Sequence, residues 1–198
     1  MTHLPALRTA AAALLTALLI GCAASTHPVG PLSEAVAEPR LAGAWAHEGG
    51  ADHDGYLHVL PSDDGKRLQI VAVDHGDKSW TVLDGYVTAV GEKRLLNLRI
   101  AAADAKSTAD VEESGHEDTH PYAFAAYAFE GDDRLAVAYV YEPLREAVKE
   151  GRLAGEMDGE YDVYVADSPA AIAAVLAAVE SAALFEDAER YRRVRSPR

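Results

Sequence analysis

Leu96, Leu98 and Ile100 alternate with Asn97 and Arg99, the two-residue period of a strand with one face in a core and the other in water. Comparable short runs cover residues 41–47, 55–60, 67–73, 80–90, 94–100, 122–130, 134–141, 162–165 and 188–194. Turn chemistry separates them. Pro61-Ser62-Asp63-Asp64-Gly65-Lys66, Gly91-Glu92-Lys93 and Gly131-Asp132-Asp133 each read as a hairpin connection. Gly85, inside the long run 80–90, predicts a bulge. The period changes to that of a helix twice. A short helix is expected near 143–150, with Pro143 at its start, Leu144, Ala147 and Val148 on one face and Gly151 as its stop. A longer one is expected near 169–184, with Ser168 as N-cap, Pro169 in the first turn, and Ile172, Val175, Leu176, Val179 and Ala183 at helical spacing. That stripe is expected to pack on the sheet.

These elements predict a mainly β fold (β-rich α+β), an antiparallel meander that closes into a barrel or folds into a sandwich. Closure removes the edge strands that would otherwise invite aggregation. A chain of 198 residues suits one domain with extensions. The expected divisions are a signal peptide over 1–21, a tether over 22–39 and a single β-rich domain over 40–198. The tether reading rests on Ser25, Pro28, Gly30, Pro31, Ser33 and Pro39, in a stretch with neither strand alternation nor a helical stripe. It predicts a flexible segment.

Composition narrows the function. There are 18 Lys and Arg against 32 Asp and Glu, a net charge of −14. This excess of acid argues against nucleic-acid binding, which needs clustered basic residues. A single cysteine excludes an internal disulfide framework and any C-x-x-C metal knuckle. Where that cysteine stands is informative. Arg8 precedes an apolar run from Ala10 to Ile20, broken only by Thr16 and shorter than the roughly 20 residues a bilayer-spanning helix requires. A charged start, a short apolar stretch and a small residue at its end make a secretory signal.

Leu19-Ile20-Gly21-Cys22 resembles the lipobox of bacterial lipoproteins. The resemblance implies cleavage before Cys22, transfer of a diacylglycerol to its thiol and acylation of the freed amine. Several acyl chains give the stable anchoring that one chain does not. Ala23 and Ala24 stand where an Asp would favour inner-membrane retention, so the resemblance implies the outer membrane, facing the periplasm. The mature chain then has 17 basic and 32 acidic residues, because Arg8 is removed. An acidic body is repelled by anionic lipid, so the expected membrane contact is lipidated Cys22 alone, with the domain standing off.

Gly43-Ala44-Trp45 resembles the G-x-W that opens the first strand of lipocalins. The family's second signature, T-D-Y, is absent. The resemblance implies a barrel followed by a helix and a short strand, which 169–184 and 188–194 would supply. It also implies that Trp45 packs at the closed end of the barrel near a C-terminal arginine, Arg190, Arg192 or Arg193.

His116-Glu117-Asp118-Thr119-His120 matches H-E-x-x-H, in which two histidines one helical turn apart hold zinc and the glutamate activates water. Gly115 before it and Pro121 after it oppose the helix this geometry needs. His116, Glu117 and His120 are therefore weak metal candidates, and 101–120 reads as a solvated acidic connection. His47, Glu48, Asp52, His53 and Asp54 form a second polar cluster around Gly49-Gly50, without the spacing of an EF-hand loop. No G-x-S-x-G elbow, phosphate-binding loop or dinucleotide fingerprint occurs. Tyr122, Tyr127, Tyr139, Tyr141, Tyr161 and Tyr164 are candidates to line a ligand cavity. The small residues Ala123, Ala125, Ala126, Ala128, Ala136 and Ala138 either admit a closely packed helix or leave internal space.

The reading that follows is a non-enzymatic, lipid-anchored envelope protein without a cofactor, binding an apolar or amphipathic small ligand. The alternative is an envelope protein–protein interaction or structural module, and a metal-dependent hydrolase ranks last. The anchor is the first point to test. Cys22→Ser is expected to abolish lipidation and leave the precursor uncut, measured as the intact mass of the membrane-extracted chain.

Overall fold

The computed structural model describes residues 23–49, 55–76, 78–103, 122–158, 162–185 and 187–195. Cys22 lies outside the described residues, as do 104–121 with the H-E-x-x-H segment. The predicted meander is present as strands β2 (Gly43–His47), β3 (Gly55–Pro61), β4 (Arg67–Asp74), β5 (Ser79–Val90), β6 (Lys93–Ala103), β7 (Ala123–Phe129) and β8 (Arg134–Tyr139). Each pairs antiparallel with the next. The C-terminal strand β11 (Glu189–Arg193) inserts between β8 and β2 and closes an eight-stranded barrel. A barrel, not a sandwich, is the outcome. Alternation around the ring places Trp45, Val59, Ile70, Leu83, Leu96, Ala125, Val137 and Tyr191 in one interior cluster. Arg134, Arg190, Arg192, Asp84 and Gln69 are exposed on the outside. This is the reverse of a membrane-spanning barrel, whose outer band is apolar and whose interior is polar.

Two local expectations change. The bulge falls between Val82 and Leu83, opposite Ala101, and not at Gly85. Gly85 keeps regular register with Leu98, and a Cβ there would stand 2.9 Å from both Asn97 O and Leu98 Cδ2. Its glycine permits the close approach of β6, which is the other use of glycine within a strand. The second predicted helix divides. Pro169–Ala178 forms α2, Val179 and Glu180 are extended, and Ser181–Leu184 forms the single turn α3. Ser168 caps α2 as expected, its Oγ accepting from Ala171 N at 3.3 Å. The shorter helix, α1, runs Tyr141–Lys149, two residues earlier at its start than expected, and ends before Gly151 at φ +70°.

A second sheet lies against the barrel, made of β1 (Ala23–Ser25), β10 (Asp162–Val165) and β9 (Gly155–Asp158). Val163 and Val165 join Ile172 and Leu176 of α2, Leu144 and Ala147 of α1, and Leu95, Phe124 and Ala126 of the barrel's outer face in a second core. The protein thus has one core inside the barrel and one on its flank.

The segment expected to be a flexible tether is instead a strap built into this flank. Ser25 exchanges backbone hydrogen bonds with Tyr122, at 2.8 and 2.7 Å, and is fully buried. Val29 N donates to Asn97 Oδ1 at 2.8 Å, and Tyr86 Oη donates to Gly30 O at 2.7 Å. Val36 N donates to Val87 O at 2.9 Å. Gly30 is needed because a Cβ would meet Thr88 Cγ2 at 2.7 Å. The lack of a sequence period predicts flexibility here. Yet an irregular segment becomes ordered when side chains and strands beneath it satisfy its backbone groups. Asn97, the polar half of the alternating pattern in β6, has no exposed surface under the strap. Its Nδ2 donates to Thr88 Oγ1 at 2.9 Å while its Oδ1 holds Val29.

Asn97→Ala therefore strands the Val29 N–H in a buried position, with an expected cost of about 2–4 kcal/mol from unsatisfied groups and lost contacts. A lower urea midpoint, with faster amide exchange at Val29 than in the barrel interior, is the measurement that checks this.

Candidate functional site

The barrel interior is the natural place for a ligand. Among the described residues it holds an apolar void of about 40 Å³, lined by Leu41, Leu57, Ile70, Leu83, Leu98 and Ala125 among others, with Tyr139 and Tyr191 at its polar edge. Pockets for drug-sized ligands occupy roughly 300–1,000 Å³. An apolar void of this size stays dry or takes a very small apolar molecule.

One end of the barrel is sealed. Leu41, in a 3₁₀ turn over Pro39–Leu41, is buried there, and its carbonyl accepts from Trp45 Nε1 at 2.8 Å. Of the three arginines considered as partners of Trp45, Arg193 lies over its ring, with Cζ 4.1 Å from the centroid. Arg193 Nη1 donates to Ala42 O at 2.7 Å, and Nη2 donates to Arg40 O. Arg190 and Arg192 project outward, toward Glu130 and Glu48. Gly43, at φ +119°, leaves room for this plug, since a Cβ would lie 3.2 Å from Arg193 Nη1. Arg40 adds a second cation on aromatic carbon, 3.9 Å from the centroid of Phe129.

Toward the other end the interior becomes polar. Tyr191 Oη donates to Glu189, two residues away on the same inward face of β11. The His47 ring meets Tyr191 edge-on at 5.1 Å, and His47 Nδ1 accepts from Gly49 N at 3.0 Å. Burial pushes the Tyr139 phenol well up, and the charge of Glu189 adds to it. Tyr191 is raised chiefly by burial, then by Tyr139 and Glu189. Burial also raises Tyr127, whose hydroxyl is buried without a hydrogen-bond partner. Such phenols remain neutral hydrogen-bonding groups; none is held in the ionised form that a phenolate nucleophile or base requires.

Of the tyrosines considered from sequence, Tyr127 and Tyr139 face the interior, and Tyr139 borders the void. Tyr122 and Tyr164 lie outside the barrel, Tyr141 belongs to α1, and Tyr161 is outside the described residues. Sequence reasoning passed over Tyr191, the buried aromatic among the charges of Glu189-Arg190-Tyr191-Arg192-Arg193. The period of two was the available signal. It places Glu189, Tyr191 and Arg193 on one face. Of the alanines, Ala125 borders the void, Ala126 packs in the flank core with α1 and α2, and Ala136 and Ala138 pack outside against Ala188 and Phe185.

The polar clusters do not assemble a metal centre among the described residues, where no three His, Cys, Asp or Glu side chains converge. Glu48 accepts from Arg192 Nε at 2.8 Å and lies 3.4 Å from Arg134 Nε, a surface ion-pair network. Asp52, His53 and Asp54, and the weak metal candidates His116, Glu117 and His120, lie outside the described residues. On the outer wall, register aligns Tyr56 with Val73 and Trp80, and His58 with Val71 and Val82. Trp80 and Leu60 are 42% and 53% exposed there, which leaves apolar surface on the side of the barrel away from the second core.

Comparison with protein-family models, with curated proteins and with solved structures finds no match. The buried phenols give a measurable consequence of the site's geometry. A phenol raised in the folded state contributes stability that is complete below its unfolded value near 10 and is lost as pH rises toward the folded value. For Tyr86, pushed up to about 12 by burial, the loss spans pH 10 to 12. Each such tyrosine adds to the fall in stability across its own window. Steep alkaline unfolding above pH ~10 is expected, with part of the phenolate absorbance appearing only as the protein unfolds.

Proposed function

We propose that this is a lipid-anchored envelope protein, held through Cys22 in the outer membrane and facing the periplasm, that acts by contact through its exterior and performs no catalysis. The observation that carries the reading is the packing of the barrel interior. Among the described residues it leaves a void of about 40 Å³, too small for an amphipathic ligand of ordinary size. The apolar row Tyr56, Val73 and Trp80 on the outer wall, with Val71 and Val82 beside it, supports a role as an interaction or structural module. The likeness of Gly43-x-Trp45 to lipocalins, together with the Arg193 plug over Trp45, supports a shared way of closing the barrel. The carrying of a ligand is the second reading. It rests on the void and its Tyr139–Tyr191 edge, and it fits only a small apolar molecule.

Native mass spectrometry of the chain extracted from its membrane in mild detergent separates the two. The expected mass is that of the acylated polypeptide alone. A stoichiometric small apolar molecule retained by the wild type, and lost on filling the void with Ala125→Leu, would reverse the order of the readings.

A further inference from the structure

We infer that the acylated protein lies flush on the bilayer in a fixed orientation, with the outward face of the β1–β10–β9 sheet against the lipid headgroups. This rests on the anchoring reading of Cys22 and adds what the strap does to it. A free segment of about 17 residues would give the domain an r.m.s. reach of roughly 20–25 Å from its anchor. No such reach is available. Ala23, the residue after Cys22, is already paired with Val163, Ala24 with Tyr164 and Ser25 with Val165. Consecutive Cα atoms are about 3.8 Å apart, so the acylated residue is one step from a sheet fixed on both sides. On one side β1 is held by β10, and on the other Ser25 is bonded to Tyr122 at the start of β7.

The register also identifies which face meets the lipid. Ala23, Val163 and Met157 pack into the flank core, as do Ser25 and Val165 next to them. The opposite face carries the row Ala24, Tyr164 and Glu156, with Glu156 exposed. Two strand spacings separate Ala24 from Glu156, about 10 Å. Tyr164 is the kind of amphipathic aromatic that suits an interface, while Glu156 and Asp162 keep the face out of the hydrocarbon. Those carboxylates commit the contact to zwitterionic headgroups, because anionic lipid repels them. The Gly131-Asp132-Asp133 turn follows the far end of β7, which is about 23 Å from Tyr122 at strand rise.

The only native cysteine is consumed by the lipid, so one introduced cysteine is a unique label site. Glu156→Cys and Asp132→Cys, each expressed in the acylated full chain, carry a fluorophore on vesicles of phosphatidylethanolamine and phosphatidylcholine with a headgroup-bound quencher. Quenching at position 156 at least ~3-fold stronger than at 132 is expected, together with slower amide exchange in β9 of the unlabelled protein on vesicles than in detergent. A Gly-Ser spacer of about 16 residues after Cys22 restores a reach of roughly 20–24 Å and is expected to equalise the two labels. Equal quenching without the spacer, on chains whose mass shows acylation, would overturn the flush orientation while leaving the anchor intact. Chains with unmodified Cys22 that remain off the membrane would remove the anchoring reading and this inference with it.

Discussion

Closure of the barrel by the last strand is the constraint on which the other features depend. β11 satisfies the free edges of both β8 and β2, so no strand of the ring is left unpaired. The same pairing carries Arg193 to Trp45, where the guanidinium covers the indole and bonds the carbonyls of Arg40 and Ala42. A cation on an aromatic face is worth more when water is excluded, and this ring has no exposed surface. The plug joins the two ends of the domain's sequence, residues 40–45 and residue 193. Removing a buried tryptophan of this kind ordinarily costs about 3–5 kcal/mol. Here it would also open the sealed end to solvent.

The second dependence runs through Asn97. Burying an amide on the flank of a barrel is unfavourable unless each of its groups is bonded. Asn97 is bonded on both sides, to Thr88 within the sheet and to Val29 in the strap. A residue that would otherwise weaken the wall thereby specifies where the strap lies. The strap in turn covers Tyr86 and Thr88 and delivers Leu41 to the sealed end of the barrel. The flank core and the interior core are therefore connected by one continuous segment, 23–41.

Among the described residues the barrel interior leaves little volume beside the phenols of Tyr127, Tyr139 and Tyr191. The exposed side chains divide into an ion-paired sector on β2, β8 and β11, and a mixed sector on β3, β4 and β5 in which Leu60 and Trp80 stand among Gln69 and Asp84. Surface ion pairs contribute little stability individually.

Sequence by itself determined the strands of the meander, their hairpin turns and the packing stripe of α2, because each is written in local periodicity and turn chemistry. Alternation in Leu96-Asn97-Leu98 and the three turns led directly to neighbouring strands in the ring. The pairing of Gly43-x-Trp45 with a C-terminal arginine, at one of three positions, came from the resemblance to lipocalins and not from periodicity. What only the tertiary structure decided are the contacts between residues far apart in the chain. Periodicity cannot say that Asn97 is covered, because the covering segment is 68 residues away and carries no period of its own. Periodicity sets Arg193 apart from Arg190 and Arg192, but only the register of β11 against Arg134, Leu135 and Trp45 brings its guanidinium to the indole. The volume left inside the barrel is likewise a property of the closed ring. It depends on how Leu41, Ala125, Tyr139 and Tyr191 meet across it, and those residues come from four separate segments of the chain.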